Sequence, residues 1–183
     1  MTYPKPTREA IAAAAGKRVP DVIAPDLRVL LCGINPGLYS GATGHHFSRP
    51  GNRFWPALHH SGFTPEQIHP FEERRLLEYG LGITNFVNRA TARADQLDDD
   101  ELRSSRSRLE SKVRRFKPAW LALLGVTAYR VAFEDRNATI GAQKRIIGET
   151  KVWVLPNPSG LNAHYQLDAL AEEFGRLRAA ASE

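Results

Sequence analysis

Cysteine is nearly absent from this chain, since Cys32 is the only one among its 183 residues. A single cysteine cannot form an internal disulfide, a four-cysteine zinc site or a four-cysteine iron–sulfur cluster. The chain also has no apolar run near the roughly 20 residues that a membrane helix needs, and its N-terminus lacks the apolar segment of a signal peptide. We therefore expect a soluble protein of a reducing compartment, the cytoplasm, with no membrane partner.

The composition also excludes a wholly disordered chain, because 42% of the residues are hydrophobic and charges of both signs are mixed. The length suits one domain with a sizeable core. Residues 1–25 contain several prolines, an alanine run and few large apolar side chains, which predicts an N-terminal arm that is partly helical or mobile. Residues 26–183 are expected to form a single domain. The net charge of +5 permits a nucleic-acid partner but does not demonstrate one.

Four short segments are nearly all apolar, which predicts strands covered on both faces at residues 27–32, 81–84, 120–124 and 152–155. A capping box predicts a helix from Thr64, Pro70 and Gly80 bound another, and residues 98–117 and 167–177 have helical periodicity. A hairpin is expected within residues 139–155. This alternation predicts an α/β protein, a three-layer α/β/α sandwich with a central, mostly parallel sheet. Ligands of such sheets bind at the carboxyl ends of the strands.

Two loops that directly follow predicted strands combine asparagine, proline and glycine. They read Gly33-Ile34-Asn35-Pro36-Gly37 and Asn157-Pro158-Ser159-Gly160-Leu161. Proline restricts the backbone and glycine lets the main chain approach a ligand closely, so both loops should be rigid and present amides at one sheet edge. Either loop alone is equally well explained as a tight turn. The pair, each after a buried strand, favours a ligand site.

These loops, together with Asn52-Arg53-Phe54-Trp55, resemble the mismatch-specific uracil/thymine DNA glycosylases, the Mug/TDG family of the uracil-DNA glycosylase superfamily. The resemblance runs from about residue 23 to about residue 174. It implies the fold of that superfamily and a monomeric enzyme that flips uracil out of G·U mispairs in double-stranded DNA. Thymine in G·T mispairs and damaged pyrimidines are further candidate substrates. Water would break the N-glycosidic bond and leave an abasic site for base excision repair, without cofactor or metal. Neither loop contains lysine, so no Schiff-base lyase step is expected.

The resemblance places Asn35 at the catalytic position. Asparagine cannot ionise, but its amide can hold a water molecule and orient it towards the sugar. The expected base pocket comprises Gly33, Ile34, Pro36, Ser40, Phe47 and Asn85. By resemblance, the backbone amides of Ile34 and Phe47 bond the edge of uracil and the Phe47 ring stacks on the flipped base. The alternative for Phe47 is ordinary core packing, and the histidines beside it are expected at the surface or in the pocket wall.

Asp95 is a second catalytic candidate, because its loop leaves the same sheet edge as the other two. A carboxylate there would activate water or stabilise a cation-like sugar. The alternative is an N-terminal cap for the acidic helix that follows, which Asp98 could also supply.

The second loop supplies the expected DNA wedge, Leu161, and the neighbouring contacts Asn157, Pro158, Ser159, Gly160 and Asn162. Apolar side chains inserted between base steps are a known device, and the alternative is a buried cap on the last helix. The family often has arginine two residues beyond the wedge, where this chain has Ala163, which argues against strict reading of an opposite guanine. Arg53 is expected either to meet a DNA phosphate or to brace this loop from within.

Two other functions remain open at this point. A non-catalytic protein that binds mispairs or abasic sites is conceivable, because Asn35 is not a base. A small nucleotide-binding protein is disfavoured, since the glycine loop matches neither phosphate-binding fingerprint. The basic residues of the helix near 103–117 form either a DNA-binding patch or a solvated face.

Overall fold

The computed structural model describes residues 1–183, and its centre is one five-stranded sheet. The strands are Val29–Gly33 (β1), Leu81–Asn85 (β2), Trp120–Leu124 (β3), Gly141–Ile147 (β4) and Thr150–Leu155 (β5). Their order across the sheet is β2-β1-β3-β5-β4, and every neighbouring pair is parallel except β4 with β5. The four strands predicted from apolar runs are confirmed, and β4 and β5 form the expected hairpin.

Helices cover both faces of the sheet. The α-helices are Arg8–Ala12 (α1), Leu38–Thr43 (α2), Phe54–His60 (α3), Asp99–Phe116 (α4), Val126–Ala132 (α5) and Leu167–Ala180 (α6), and two 3₁₀ helices span Pro70–Tyr79 and Ala94–Gln96. Along β1, Val29 and Leu31 pack into an apolar cluster with α3 and α6, while Leu30 and Cys32 pack into a second cluster with α4 and α5. Successive strand residues point to opposite faces, so two cores flank one sheet and the predicted three-layer sandwich is confirmed. None of the helices is both long and apolar enough to cross a membrane.

The helix predicted from the capping box at Thr64 is wrong. No helix lies between α3 and Pro70. Oγ1 of Thr64 donates to the carbonyl oxygen of Glu66 at 2.8 Å, so the hydroxyl closes a local turn instead of accepting a bond from a helical amide. The next predicted helix does end at Gly80, whose φ is 69°, but it is a 3₁₀ helix and is interrupted at Glu72, whose φ of −106° is not helical.

The N-terminal residues pack beside the carboxyl end of the sheet. Val22 forms an antiparallel bridge with Ile83 of β2, with N···O distances of 3.0 and 2.8 Å. Ala14 is fully buried, and it lies within van der Waals range of Gly41 in α2, which also approaches Ala90. These contacts hold the segment before β1 against α2 and against the loop that follows β2.

Candidate active site

A cleft of about 710 Å³ opens at the carboxyl ends of the parallel strands. Loops after β1, β2 and β5 form its walls, as expected for an open α/β sheet. The predicted site residues that line it are Gly33, Ile34, Asn35, Pro36, Ser40, Phe47, Asn85, Asp95, Asn157, Pro158, Ser159, Leu161 and Asn162. Gly160 does not line the cleft but lies against Gly51, whose carbonyl oxygen would be 3.0 Å from an added Cβ.

The cleft also contains residues outside that predicted set, including His46, one of the histidines expected at the surface or in the pocket wall. Those with polar, aromatic or large apolar side chains are Ile11, Leu38, Tyr39, His46, Arg49, Asn52, Thr91, Arg93 and Leu124. Most come from the same three loops as the predicted residues. Ile11 comes from α1, so the N-terminal segment contributes to the wall of the cleft.

Asn35 is held by its amide nitrogen. Nδ2 donates to the carbonyl oxygen of Arg89 at 2.9 Å and to Oγ1 of Thr91 at 2.8 Å, and the carbonyl oxygen of Pro36 is 3.2 Å away. A carbonyl oxygen can only accept, so the nitrogen of the amide must face Arg89. Oδ1 receives no hydrogen bond from the protein, and the residue is half-buried. Asn35 therefore offers a fixed, unpaired acceptor at the cleft.

Thr91 determines how Asn35 is held. Its hydroxyl donates to the carbonyl oxygen of Arg93 at 2.8 Å, which leaves only lone pairs for Asn35. Its backbone amide donates to the carbonyl oxygen of Pro36 at 3.1 Å, so Thr91 joins the loop after β1 to the loop after β2. No local pattern marks this residue, because Asn35 is 56 positions away. The only sequence signal is that Thr91 shares the loop of Asp95.

Asp95 lies at the mouth of the cleft, on the short 3₁₀ helix Ala94–Gln96. Its side chain is 68% exposed, and its Oδ1 accepts a hydrogen bond from Nε of Arg93 at 3.1 Å. The cap of α4 is Asp98, whose side chain accepts from the backbone amide of Glu101 at 2.7 Å. The alternative role of Asp95 as the cap of that helix is therefore wrong.

Phe47 belongs to both the core and the cleft. One face of its ring stacks on Phe54, with centroids 4.1 Å apart and planes 25° apart, and the residue lines the cleft beside Gly33. Its φ is 50°, a conformation that is uncommon for a residue with a Cβ and is found where the surroundings hold it. The ring is thus a rigid surface backed by buried aromatic packing.

His46 sets the orientation of the Asn85 amide. Burial lowers the pKa of His46 below its usual range, against the opposing effect of Glu73, so the ring is neutral. Nε2 lies 2.8 Å from the carbonyl oxygen of Pro20, which only accepts, so Nε2 holds the proton. Nδ1 then accepts from Nδ2 of Asn85 at 3.4 Å. Oδ1 of Asn85 is left beside Gly33, 2.6 Å from where a Cβ would lie.

The hydroxyl of Ser40 is engaged by Ser48, so Ser40 supports the wall of the cleft instead of offering a free hydroxyl. It is 5% exposed, and its Oγ accepts a hydrogen bond from the backbone amide of Ser48 at 3.3 Å. The Ser40 hydroxyl is also 3.4 Å from that of Ser48. These bonds connect α2 to the segment that carries Phe47, and so they stabilise the wall of the cleft.

The loop after β5 is stabilised by its own polar side chains. Oδ1 of Asn157 accepts from the backbone amide of Ser159 at 2.9 Å, and Oγ of Ser159 accepts from that of Leu161 at 3.2 Å. Nδ2 of Asn162 donates back to the carbonyl oxygen of Asn157 at 3.0 Å. Leu161 is 70% exposed, so it does not pack beneath α6. The loop presents one apolar side chain to solvent at the edge of the cleft.

The sequence model of the uracil DNA glycosylase superfamily matches residues 20–178. This span contains all five strands, both Asn-Pro loops and every cleft residue except Ile11. The chain belongs to the uracil-DNA glycosylase superfamily. Membership supports DNA as the partner and hydrolysis of an N-glycosidic bond to uracil, so this part of the prediction is confirmed. Placement in the mismatch-specific family within the superfamily stays a prediction.

In this uracil-DNA glycosylase superfamily member, the basic helix α4 lies apart from the cleft. Arg103, Arg106 and Lys112 each pair with a carboxylate of the chain, and no residue of α4 lines the cleft. Arg49 and Arg93 do line it. Cations at the cleft are therefore supplied by loops, and the density of arginines along the sequence does not locate them.

Proposed function

We propose that this protein is a monofunctional, monomeric uracil-DNA glycosylase that acts on G·U mispairs and leaves an abasic site for base excision repair. Thymine in G·T mispairs and damaged pyrimidines are further substrates in this proposal. The observation that carries it is the Asn35 amide, whose nitrogen has three acceptors at 2.8, 2.9 and 3.2 Å while its oxygen has no protein donor. That oxygen can accept a hydrogen bond from a water molecule and so aim the water at the sugar carbon.

Two backbone amides at the cleft have no acceptor in the protein and support departure of the base. The backbone amides of Ile34 and Phe47 donate to no acceptor within the protein, and both residues line the cleft. Preset donors stabilise the negative charge that develops on a leaving base in the transition state. Uracil leaves as an anion, so these amides favour its release without a general acid.

Discrimination between bases follows from the amide of Asn85. Its Oδ1 is an acceptor at the cleft because its Nδ2 is bonded to the neutral His46 ring. Uracil and thymine carry an N–H at ring position 3 that can donate to such an oxygen, whereas cytosine has a lone pair there. We therefore propose that Asn85 admits uracil and thymine and disfavours cytosine.

Asp95 is proposed as a supplementary group. Asparagine cannot remove a proton from water, so a carboxylate that reaches the water adds most where the base is a poor leaving group. The mouth position and solvent access of Asp95 support this role, and its bond to Arg93 orients it. Asn35 positions the water, and Asp95 extends the range of bases that the enzyme releases.

The test uses a labelled duplex with one G·U pair, treated with alkali after incubation to break the strand at abasic sites. Asn35→Ala should slow the reaction by about 100-fold, because the oriented water is lost. Asp95→Ala should slow uracil release by less than about 10-fold and thymine release by more. His60→Ala, at an exposed position outside the cleft, is the matched control and should equal wild type.

Three outcomes would contradict parts of this proposal. A wild-type protein that produces no alkali-sensitive break in the G·U duplex does not act on G·U mispairs. Binding of abasic duplex without turnover would favour the non-catalytic alternative. An Asp95→Ala variant that matches wild type on both uracil and thymine would show that Asp95 has no catalytic part.

A further inference from the structure

Arg53 connects the start of α3 to the loop after β5. The two hydrogens of its Nη1 are directed to the carbonyl oxygens of Asn162 and Tyr165, each 2.9 Å away. Its backbone amide donates to the carbonyl oxygen of Pro158 at 3.0 Å. One residue therefore binds both ends of the segment 158–165, and Leu161 lies within that segment.

The anchor itself is rigid. Arg53 is the N-cap residue of α3, and the next two residues, Phe54 and Trp55, are buried in the core. Phe54 also supports the ring of Phe47 from behind. The start of α3 therefore fixes both the ring of Phe47, on which a base would stack, and the loop that bears Leu161.

The guanidinium contacts the chain through main-chain carbonyl oxygens alone. It forms no ion pair with a carboxylate of the chain, and its hydrogen-bond partners are the carbonyl oxygens of Asn162 and Tyr165. The sequence left open whether Arg53 meets a DNA phosphate or braces the loop, and these bonds favour the brace. A charged donor bonded to two carbonyls makes stronger hydrogen bonds than a neutral one, and lysine lacks the planar fork that directs them.

We propose that Arg53 is a positioning residue that holds Leu161 in the orientation required to enter the base stack when the target nucleotide leaves it. This inference rests on the proposed glycosylase function. An unbraced loop would sample many conformations, and each binding event would have to order it before the wedge could enter. The brace removes that requirement in advance, so its effect is confined to substrates whose base is stacked.

The test compares Arg53→Met with Arg53→Lys on two uracil substrates, a G·U duplex and a single strand. Methionine keeps an apolar stem and removes every donor. Arg53→Met should slow the duplex reaction at least about 10-fold more than the single-strand reaction, because a single strand has no stack for the wedge to enter. Arg53→Lys should show an intermediate ratio. Arg108→Met makes the same chemical change at an exposed site outside the cleft and should leave both rates at wild-type values.

A double-mutant cycle identifies the residue through which Arg53 acts. Leu161→Ala should show the same preferential loss on duplex DNA, and the double variant should lose little more than either single variant, since both changes disable one wedge. Losses that multiply would overturn the proposal. Equal slowing of duplex and single-strand reactions by Arg53→Met would overturn it as well, because that pattern indicates a general defect of the site.

Hydrogen–deuterium exchange of the free protein gives a readout that does not depend on activity. Amides of residues 159–165 should exchange faster in Arg53→Met than in wild type, and Leu161→Ala should leave them unchanged. Unchanged exchange in Arg53→Met would show that Arg53 is not a brace. If wild-type protein is inactive on both uracil substrates, the proposed function fails by itself, and exchange still decides whether Arg53 holds the loop.

Discussion

Oγ1 of Thr91 lies 2.8 Å from Nδ2 of Asn35, across 56 residues of sequence. The hydroxyl of Thr91 donates its proton to the carbonyl oxygen of Arg93. Oγ1 can therefore only accept in its contact with Asn35. Nδ2 of Asn35 is the donor in this contact, and Oδ1 is left without a donor from the protein. A buried threonine, 6% exposed, thereby helps to set the orientation of the Asn35 amide, which we propose positions the water.

Replacing Thr91 tests that relationship. Thr91→Val keeps the shape and removes the hydroxyl, so we expect the single-turnover rate on a G·U duplex to fall about 10-fold through misorientation of the water. Thr91→Ser keeps the hydroxyl and should retain most of the wild-type rate. Substrate affinity should change little in either variant, since the backbone amides of Ile34 and Phe47, which we propose bind the base, are untouched. A wild-type rate in Thr91→Val would show that the carbonyl oxygens of Arg89 and Pro36 are sufficient to hold Asn35.

Gly33 and Gly37 form a matched pair within one loop. A Cβ at Gly33 would lie 2.6 Å from Oδ1 of Asn85 and 3.2 Å from Cζ of Phe47, whereas a Cβ at Gly37 would have nothing within 4 Å. Gly33→Ala should therefore obstruct the base pocket and lower kcat/KM by about 10-fold or more. Gly37→Ala should act like wild type in a G·U assay. Equal activity of the two variants would show that the base does not approach Gly33.

His46 makes stability depend on pH. Its pKa in the folded protein is lowered, chiefly by burial, while Glu73 and Asp21 oppose the shift and His45 adds to it. A histidine of this kind stabilises the fold fully above its unfolded pKa, near 6.5, and the contribution is lost as pH falls towards the folded value. Thermal unfolding between pH 8 and 5 should show Tm decreasing below about pH 6.5 in wild type.

The comparison variants for this measurement are His46→Gln and His60→Gln. Glutamine at position 46 can still donate to the carbonyl oxygen of Pro20 but does not titrate, so its Tm should depend less on pH than that of wild type. His60 is exposed, so its replacement should leave the wild-type profile unchanged. A His46→Gln profile parallel to wild type would assign the acid sensitivity to other groups.

Cys32 should be chemically silent while the protein is folded. It has no exposed surface, and burial raises the pKa of its thiol. The reactive species is the thiolate, so native protein should not react with a thiol reagent at pH 8. One thiol per chain should react once denaturant is added. Fast labelling without denaturant would show that the apolar cluster between the sheet and helices α4 and α5 opens locally.

The short-range sequence pattern was sufficient to predict those strands and helices that are specified by neighbouring residues. The strands are predicted by apolar runs, which are typical of a sheet covered on both faces. Helix α4 has its cap at Asp98 and ends at Lys117 in a left-handed conformation with φ 51°, close to the predicted limits. At Thr64 the same kind of pattern misled, because the hydroxyl found a nearer partner in Glu66.

The sequence by itself determined the α/β architecture and the sheet edge at which the two Asn-Pro loops meet. This follows because burial and backbone restriction act over a few residues and are visible in the local pattern. Only the tertiary structure decided which atoms of those loops are free. The partners of Asn35, His46 and Arg53 lie 56, 26 and 109 residues away, and a hydrogen bond across such a separation exists only after the chain has packed.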